Sequence, residues 1–255
     1  MARAWLDGRL VDAAAPALLL SEPGFVVGDG VFTTTVVEDG VPFALERNLA
    51  RLARHCVRVG FGVPDLDRLR AGVTELLDAD GVRSGRLRVT VTGGVQVIAV
   101  GPPSAYGPVS TAVTLPWRRN ERGALAGVKS SSFGENLVAQ RYFRPLGADE
   151  GLLANTVDEV CEGVTSNVFC VVGGMLWTPP LASGCLDGVT RELVCELVDV
   201  RQEALPLAAM DDCDEAFWTS ATRKVQPIAS LDGRPLRTDG VLTRRAARAL
   251  AGWRE

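Results

Sequence analysis

The chain of 255 residues carries 27 lysines and arginines, yet only two are lysines, Lys129 and Lys224. A lysine amine can attack a carbonyl, be displaced by a second amine and then carry a proton, provided its surroundings favour the neutral form. An Arg-rich composition accounts for such scarcity equally well. A second feature is LDGVTR, Leu186–Arg191, where a glycine turn feeds a helix whose free N–H groups and dipole suit a phosphate. By itself this is also how ordinary helices begin. Arg47, Arg51, Arg54 and Arg58 recur at helical spacing and read as a basic stripe, which could hold an oxyanion or simply face water.

Other chemistries find less support. The glycines of GFVVGDGVF do not make GxGxxG, and GxxxxGK[ST] does not occur. With a single histidine, His55, a Ser-His-Asp triad has no good candidate. Six cysteines, none in a CxxC pair, read as buried free thiols and leave a zinc or haem site short of ligands. A net charge of −4 provides no global field for nucleic acid or an anionic membrane. No segment reaches the ~18 apolar residues of a bilayer span, and the N-terminus lacks a signal-peptide pattern, so a cytoplasmic protein is expected.

The residues must be positioned by mixed elements, and the pattern predicts an α+β chain of two domains. In the first half, FVV and VFTTTVV flank GDG as strands, LRVTVT and VQVIAV follow as strands, and one helix runs over Leu45–Val59. GPPSAYGP (Gly101–Pro108) and the polar PWRRNERG (Pro116–Gly123), separated by one short strand, read as a junction. The expected division is a smaller domain 1–115, a linker 116–125 and a larger domain 126–255. In the latter, helices are predicted around Asn136–Phe143, Gly188–Val200 and 243–252. Hairpins are predicted at SNVFCVV-GG-MLWTP and IASLDGRPL, with EAFWTS as a further strand.

Seven segments, in order, resemble the fold type IV pyridoxal-phosphate enzymes: branched-chain aminotransferases, D-amino-acid transaminases and aminodeoxychorismate lyases. They are GDGVF (Gly28–Phe32), LERNLARL (Leu45–Leu52), VKSSS (Val128–Ser132), GADE (Gly147–Glu150), CEGVTSNVF (Cys161–Phe169), TPPLASGCLDGVTR (Thr178–Arg191) and TSATRKVQPI (Thr219–Ile228). The resemblance implies pyridoxal 5'-phosphate carried by Lys129 as a Schiff base. It implies Glu162 opposite the pyridine nitrogen, where its charge keeps the ring able to accept electrons. Arg51, Val189 and Thr190 would hold the phosphate, with Ala221 and Thr222 in a second phosphate-binding turn, and Leu186 would pack on the ring. It further implies a homodimer with the active site between the two domains.

Three positions depart from the family pattern. Asn48 stands where a histidine is common, Phe133 or Gly134 where many relatives place a tyrosine, and Ala221 where a hydroxyl is frequent. A fourth difference bears on the reaction. Transaminases of both kinds commonly place Glu after GDGV[FY], whereas this chain reads GDGVFTTT, similar to some aminodeoxychorismate lyases. Phe32, Thr33 and Thr34 are therefore expected to meet the substrate, a small amine. The expected activity is elimination of pyruvate from 4-amino-4-deoxychorismate to give 4-aminobenzoate, a step of folate supply. The alternative is an aminotransferase using a branched-chain or related amino acid with 2-oxoglutarate, and a third reading is a scaffold that kept the fold without catalysis.

Overall fold

The structure is a computed structural model that describes residues 2–15 and 17–255. It falls into two compact units: the chain up to Ala105 together with Val128–Phe133, and Tyr106–Gly127 together with Gly134–Arg254. Both mix helix and sheet, so the architecture is α+β.

In the first unit, strands β1 (Arg3–Leu6), β2 (Arg9–Asp12), β3 (Gly30–Glu38), β4 (Val41–Pro42), β5 (Ser84–Thr92) and β6 (Gln96–Gly101) form an antiparallel sheet in the order β2-β1-β6-β5-β3-β4. A four-residue helix, α1 (Pro23–Val26), precedes β3, and two long helices, α2 (Leu45–Arg58) and α3 (Leu66–Asp80), supply the covering layer. Trp5, Val31, Leu87, Val89 and Ile98 from the strands pack with Leu49, Leu52, Leu69 and Leu76 from α2 and α3 into one core. Alternation along β3 sends Val31, Thr33 and Thr35 to one face and Phe32 and Thr34 to the other.

Two expectations fail here. FVV is not a strand: Glu22 caps α1 through Gly24 N–H, Pro23 takes the first helical position, and Phe25, Val26 and Val27 are exposed. The first half also holds a second long helix, α3. Its central Gly72, a residue that weakens helices, leaves room for the Trp5 indole, whose ring atoms lie 2.6–2.8 Å from where a Cβ would stand.

In the second unit, β7 (Ser110–Arg119), β8 (Glu150–Asn155), β9 (Val160–Gly163), β10 (Asn167–Val172), β11 (Met175–Thr178), β12 (Arg201–Gln202), β13 (Glu215–Ser220), β14 (Lys224–Leu231) and β15 (Arg234–Pro235) build one sheet. Its order is β12-β11-β10-β13-β14-β7-β8-β9, with β15 on β14. Helices α4 (Gly134–Phe143), α5 (Val189–Leu197) and α6 (Val241–Gly252) complete it. Phe169 and Phe217 stack at 4.9 Å in one core cluster, and Trp218 anchors another. Pro116–Arg119, expected in a polar linker, instead form the end of β7. A register shift between Thr114 and Arg118 in the β7–β8 ladder accommodates a proline that has no N–H to donate.

The six cysteines are free; Cys195 is half-buried and the other five are buried. Among the described residues, no helix is long and apolar enough to cross a membrane.

Candidate active site

In the first unit the candidate residues converge on β3 and α2. Helix α2 buries an apolar stripe of Leu49, Leu52 and Cys56, and beside it a polar stripe of Asn48, Arg51 and His55. Burial separates the arginines that spacing could not: Arg51 is 4% exposed, whereas Arg54 and Arg58 face solvent. Arg51 donates to Thr33 Oγ1 at 3.0 Å and to Asn48 Oδ1 at 3.3 Å. Thr33 Oγ1 in turn donates to Asn48 Oδ1 at 2.7 Å, and Asn48 Nδ2 donates to Ala44 O at 2.8 Å. Thr33, expected to meet substrate, is thus turned toward α2, while Phe32 and Thr34 lie on the opposite face of β3.

Lys129 lies beside β3 in a segment tied to it by hydrogen bonds. Its carbonyl accepts from Phe32 N–H at 2.9 Å, Gly30 O accepts from Ser131 N–H at 2.8 Å, and Val31 bridges Ser130. The Lys129 backbone N–H donates to His55 Nδ1 at 3.1 Å. Lys129 Nζ stands 4.8 Å from the centroid of the Phe32 ring. Arg88, directly across the ladder from Thr34, places its guanidinium carbon 3.6 Å from the same ring. Burial, and secondarily Arg86, pull the Arg88 pKa below the ordinary guanidinium value. Phe133 packs edge-to-face on Phe32 at 6.2 Å.

The second unit holds the remaining candidates. Glu162 on β9 is buried; its Oε1 lies 3.1 Å from Arg119 Nε, and its Oε2 accepts from Leu186 N–H at 2.9 Å. Leu186 is further fixed by its carbonyl, which accepts from Asn167 Nδ2 at 2.8 Å. The turn leads through Gly188 into α5, whose first residues are Val189 and Thr190. Gly188 is the N-cap, so no side chain caps the helix.

Ala221 and Thr222 sit in the turn between β13 and β14. Thr222 Oγ1 lies 3.3 Å from both Ser220 Oγ and Tyr106 Oη. Arg223 braces this turn: its N–H donates to Ser220 Oγ at 3.0 Å, and its guanidinium pairs with the fully buried Glu150 at 3.2 Å. Burial pushes the Glu150 carboxyl up, against the downward pull of Arg223 and the Thr165 hydroxyl.

This donor set fits pyridoxal phosphate on its own terms. Thr190 Oγ1 is buried without a hydrogen-bond partner at the start of α5, where the first helical N–H groups also lack intrahelical acceptors. A phosphate would satisfy both. Thr219 Oγ1, just before the second turn, is another buried hydroxyl without a partner.

The two-unit α+β fold is that of the fold type IV pyridoxal-phosphate enzymes. The profile of the family described as Amino-transferase class IV matches residues 30–231, and the chain belongs to that family. Among curated relatives, a putative branched-chain-amino-acid aminotransferase of Methanocaldococcus jannaschii is 28% identical, with 90% of this chain and 88% of that protein covered. A D-alanine aminotransferase of Bacillus licheniformis is 27% identical, covering 96% and 94%. The aminodeoxychorismate lyase of Bacillus subtilis is 25% identical, covering 89% and 86%. A hypothetical aminotransferase from Mycobacterium tuberculosis, solved in a PLP-bound form, superposes with a TM-score of 0.90 at 26% identity, covering 98% of each chain. The protein is therefore a PLP-dependent enzyme, a lyase or an aminotransferase.

The sequence alone did not single out three residues of these clusters. Arg88 and Arg119 belong to an arginine-rich background, and His55 meets Lys129 across 74 positions of chain. Only a prediction of contacts could have found the last.

Proposed function

We propose that the protein is a 4-amino-4-deoxychorismate lyase that releases pyruvate and 4-aminobenzoate. The observation that carries this reading is the pairing of Thr33 with Asn48. Where transaminases commonly hold a glutamate, this chain has a neutral hydroxyl hydrogen-bonded to a neutral amide. The substrate bears two carboxylates, which an acidic side chain on the other, open face of β3 would oppose. Here the open face of β3 instead presents the Thr34 hydroxyl and, across the ladder, the Arg88 guanidinium.

In this reading Lys129 carries the cofactor. Glu162, held by Arg119 and the Leu186 N–H, would supply the carboxylate for the ring nitrogen, and Leu186 would supply an apolar contact for the ring. Arg51, Val189 and Thr190 would hold the phosphate, joined by the Ala221–Thr222 turn through backbone N–H groups and the Thr222 hydroxyl. Bound pyridoxal phosphate supplies an electrophilic aldehyde and a ring that accepts electrons. Once the substrate amine has displaced it from the cofactor, the freed Lys129 amine would remove the proton from the substrate ring carbon that bears nitrogen. The C–O bond to the enolpyruvyl group breaks, the departing enol gains a proton and becomes pyruvate, and the ring is left aromatic. Atoms balance without an oxidant or a keto-acid acceptor. Arg88 binds a substrate carboxylate, and Thr33 and Asn48 keep Arg51 in place.

The second reading is an aminotransferase, favoured by the two aminotransferases among the relatives above. Product analysis separates them. Incubation with 4-amino-4-deoxychorismate alone is expected to yield equal amounts of 4-aminobenzoate and pyruvate. Turnover of an amino acid that demands a keto acid, with aminodeoxychorismate untouched, overturns the lyase reading.

A further inference from the structure

The proposed chemistry uses the Lys129 side chain, and its precision depends on the backbone that carries it. Val128–Phe133 lies outside the helices and named strands until α4 begins at Gly134. Its N–H groups therefore have no continuous ladder to join, and a N–H removed from water needs an acceptor. For Lys129 that acceptor is a side chain. His55 Nδ1 takes the Lys129 N–H at 3.1 Å, while the Lys129 carbonyl takes the Phe32 N–H at 2.9 Å. The residue is pinned at both backbone polar atoms, from α2 on one side and β3 on the other.

His55 is the chain's only histidine and is 4% exposed. It lies one turn beyond Arg51 on the polar stripe of α2, so one rigid helix holds both the buried arginine and the lysine backbone. A backbone N–H can only donate, so the nitrogen facing it carries no proton. The imidazole must then be neutral with its proton on Nε2.

From this geometry we infer that His55 is a positioning residue for Lys129: a neutral Nε2–H imidazole whose Nδ1 fixes the backbone from which the reactive amine projects. The inference rests on the reading of Lys129 as the reactive lysine. A long side chain on a displaced Cα delivers its amine to the wrong place, and a displacement of ~1 Å at a reacting group costs on the order of a hundredfold in rate.

Selective labelling makes the test direct, because the chain has one histidine and two lysines. With 15N-histidine, the wild-type protein without cofactor is expected to show a single neutral imidazole protonated at Nε2. With 15N-lysine, the two amides report separately, Lys224 serving as the internal control. His55→Asn keeps an acceptor near the Nδ1 position and is expected to retain slow exchange of the Lys129 amide. His55→Leu removes the acceptor and is expected to accelerate that exchange at least tenfold, leaving Lys224 unchanged.

A Nδ1–H tautomer or a charged imidazole at neutral pH in the wild type overturns the inference, as does unchanged Lys129 exchange in His55→Leu. Should His55→Leu fail to fold, the wild-type tautomer and the His55→Asn exchange still decide it. Because these readouts need no cofactor, failure of Lys129 to take up pyridoxal phosphate would instead count against the proposed function. In loaded enzyme, kcat is expected to fall in His55→Leu and to recover in His55→Asn.

Discussion

The hydroxyl of Thr33 lies 2.7 Å from the amide oxygen of Asn48, and both hydrogen-bond the same Arg51 guanidinium. Two positions that depart separately from the family pattern are thus one neutral pair. Thr33→Ala is expected to leave Asn48 and Arg51 each short of a buried partner, costing ~1–3 kcal/mol. Asn48→Ala added to it should cost less than Asn48→Ala alone, because the residues share one network. Thermal or denaturant unfolding of the two single variants and the double variant checks this.

Arg88 caps the Phe32 ring beside Lys129 and is exposed to solvent. Arg88→Ala should remove one charge-assisted contact to a substrate carboxylate, ~1.5–3 kcal/mol, or roughly ten- to a hundredfold in KM. Steady-state kinetics should show kcat changing less than KM.

Gly188 starts α5 against Asn167, and a Cβ there would overlap the Asn167 amide oxygen. Gly188→Ala should displace Asn167, which fixes Leu186, and thereby disturb the turn that leads to Val189 and Thr190. The expected outcome is weaker cofactor affinity in a folded protein, read by equilibrium titration with pyridoxal phosphate.

Burial raises the Cys56 and Cys185 thiols to about 11. A raised thiol pKa means that the reactive thiolate is scarce below it, about one part in a thousand at pH 8. Alkylation with iodoacetamide at pH 8 should therefore spare both in native protein and modify both after unfolding, as mass spectrometry of the digests will show.

The strand that begins within GDGVF, helix α2, and the hairpins at SNVFCVV and IASLDGRPL were legible because apolar spacing there serves burial. Elsewhere a residue chosen for a distant neighbour obscured the local signal. Gly72 weakens the helical pattern of α3 to admit Trp5, and Pro116 reads as a break although β7 bulges around it. The site was legible as motifs, but not as contacts. Spacing places four arginines on α2, and only burial against Thr33 and Asn48 distinguishes Arg51. The partners Arg119 for Glu162 and His55 for Lys129 are made by tertiary folding across 43 and 74 positions, the former counted from 119 to 162.

The central claim is that Lys129 carries the cofactor, and a chain with two lysines offers a binary measurement. Holoenzyme reduced with borohydride, digested and analysed by mass spectrometry is predicted to carry the phosphopyridoxyl mass on Lys129, with visible absorbance lost on reduction and absent in Lys129→Ala. Label on Lys224, or no label on either lysine, would contradict the account.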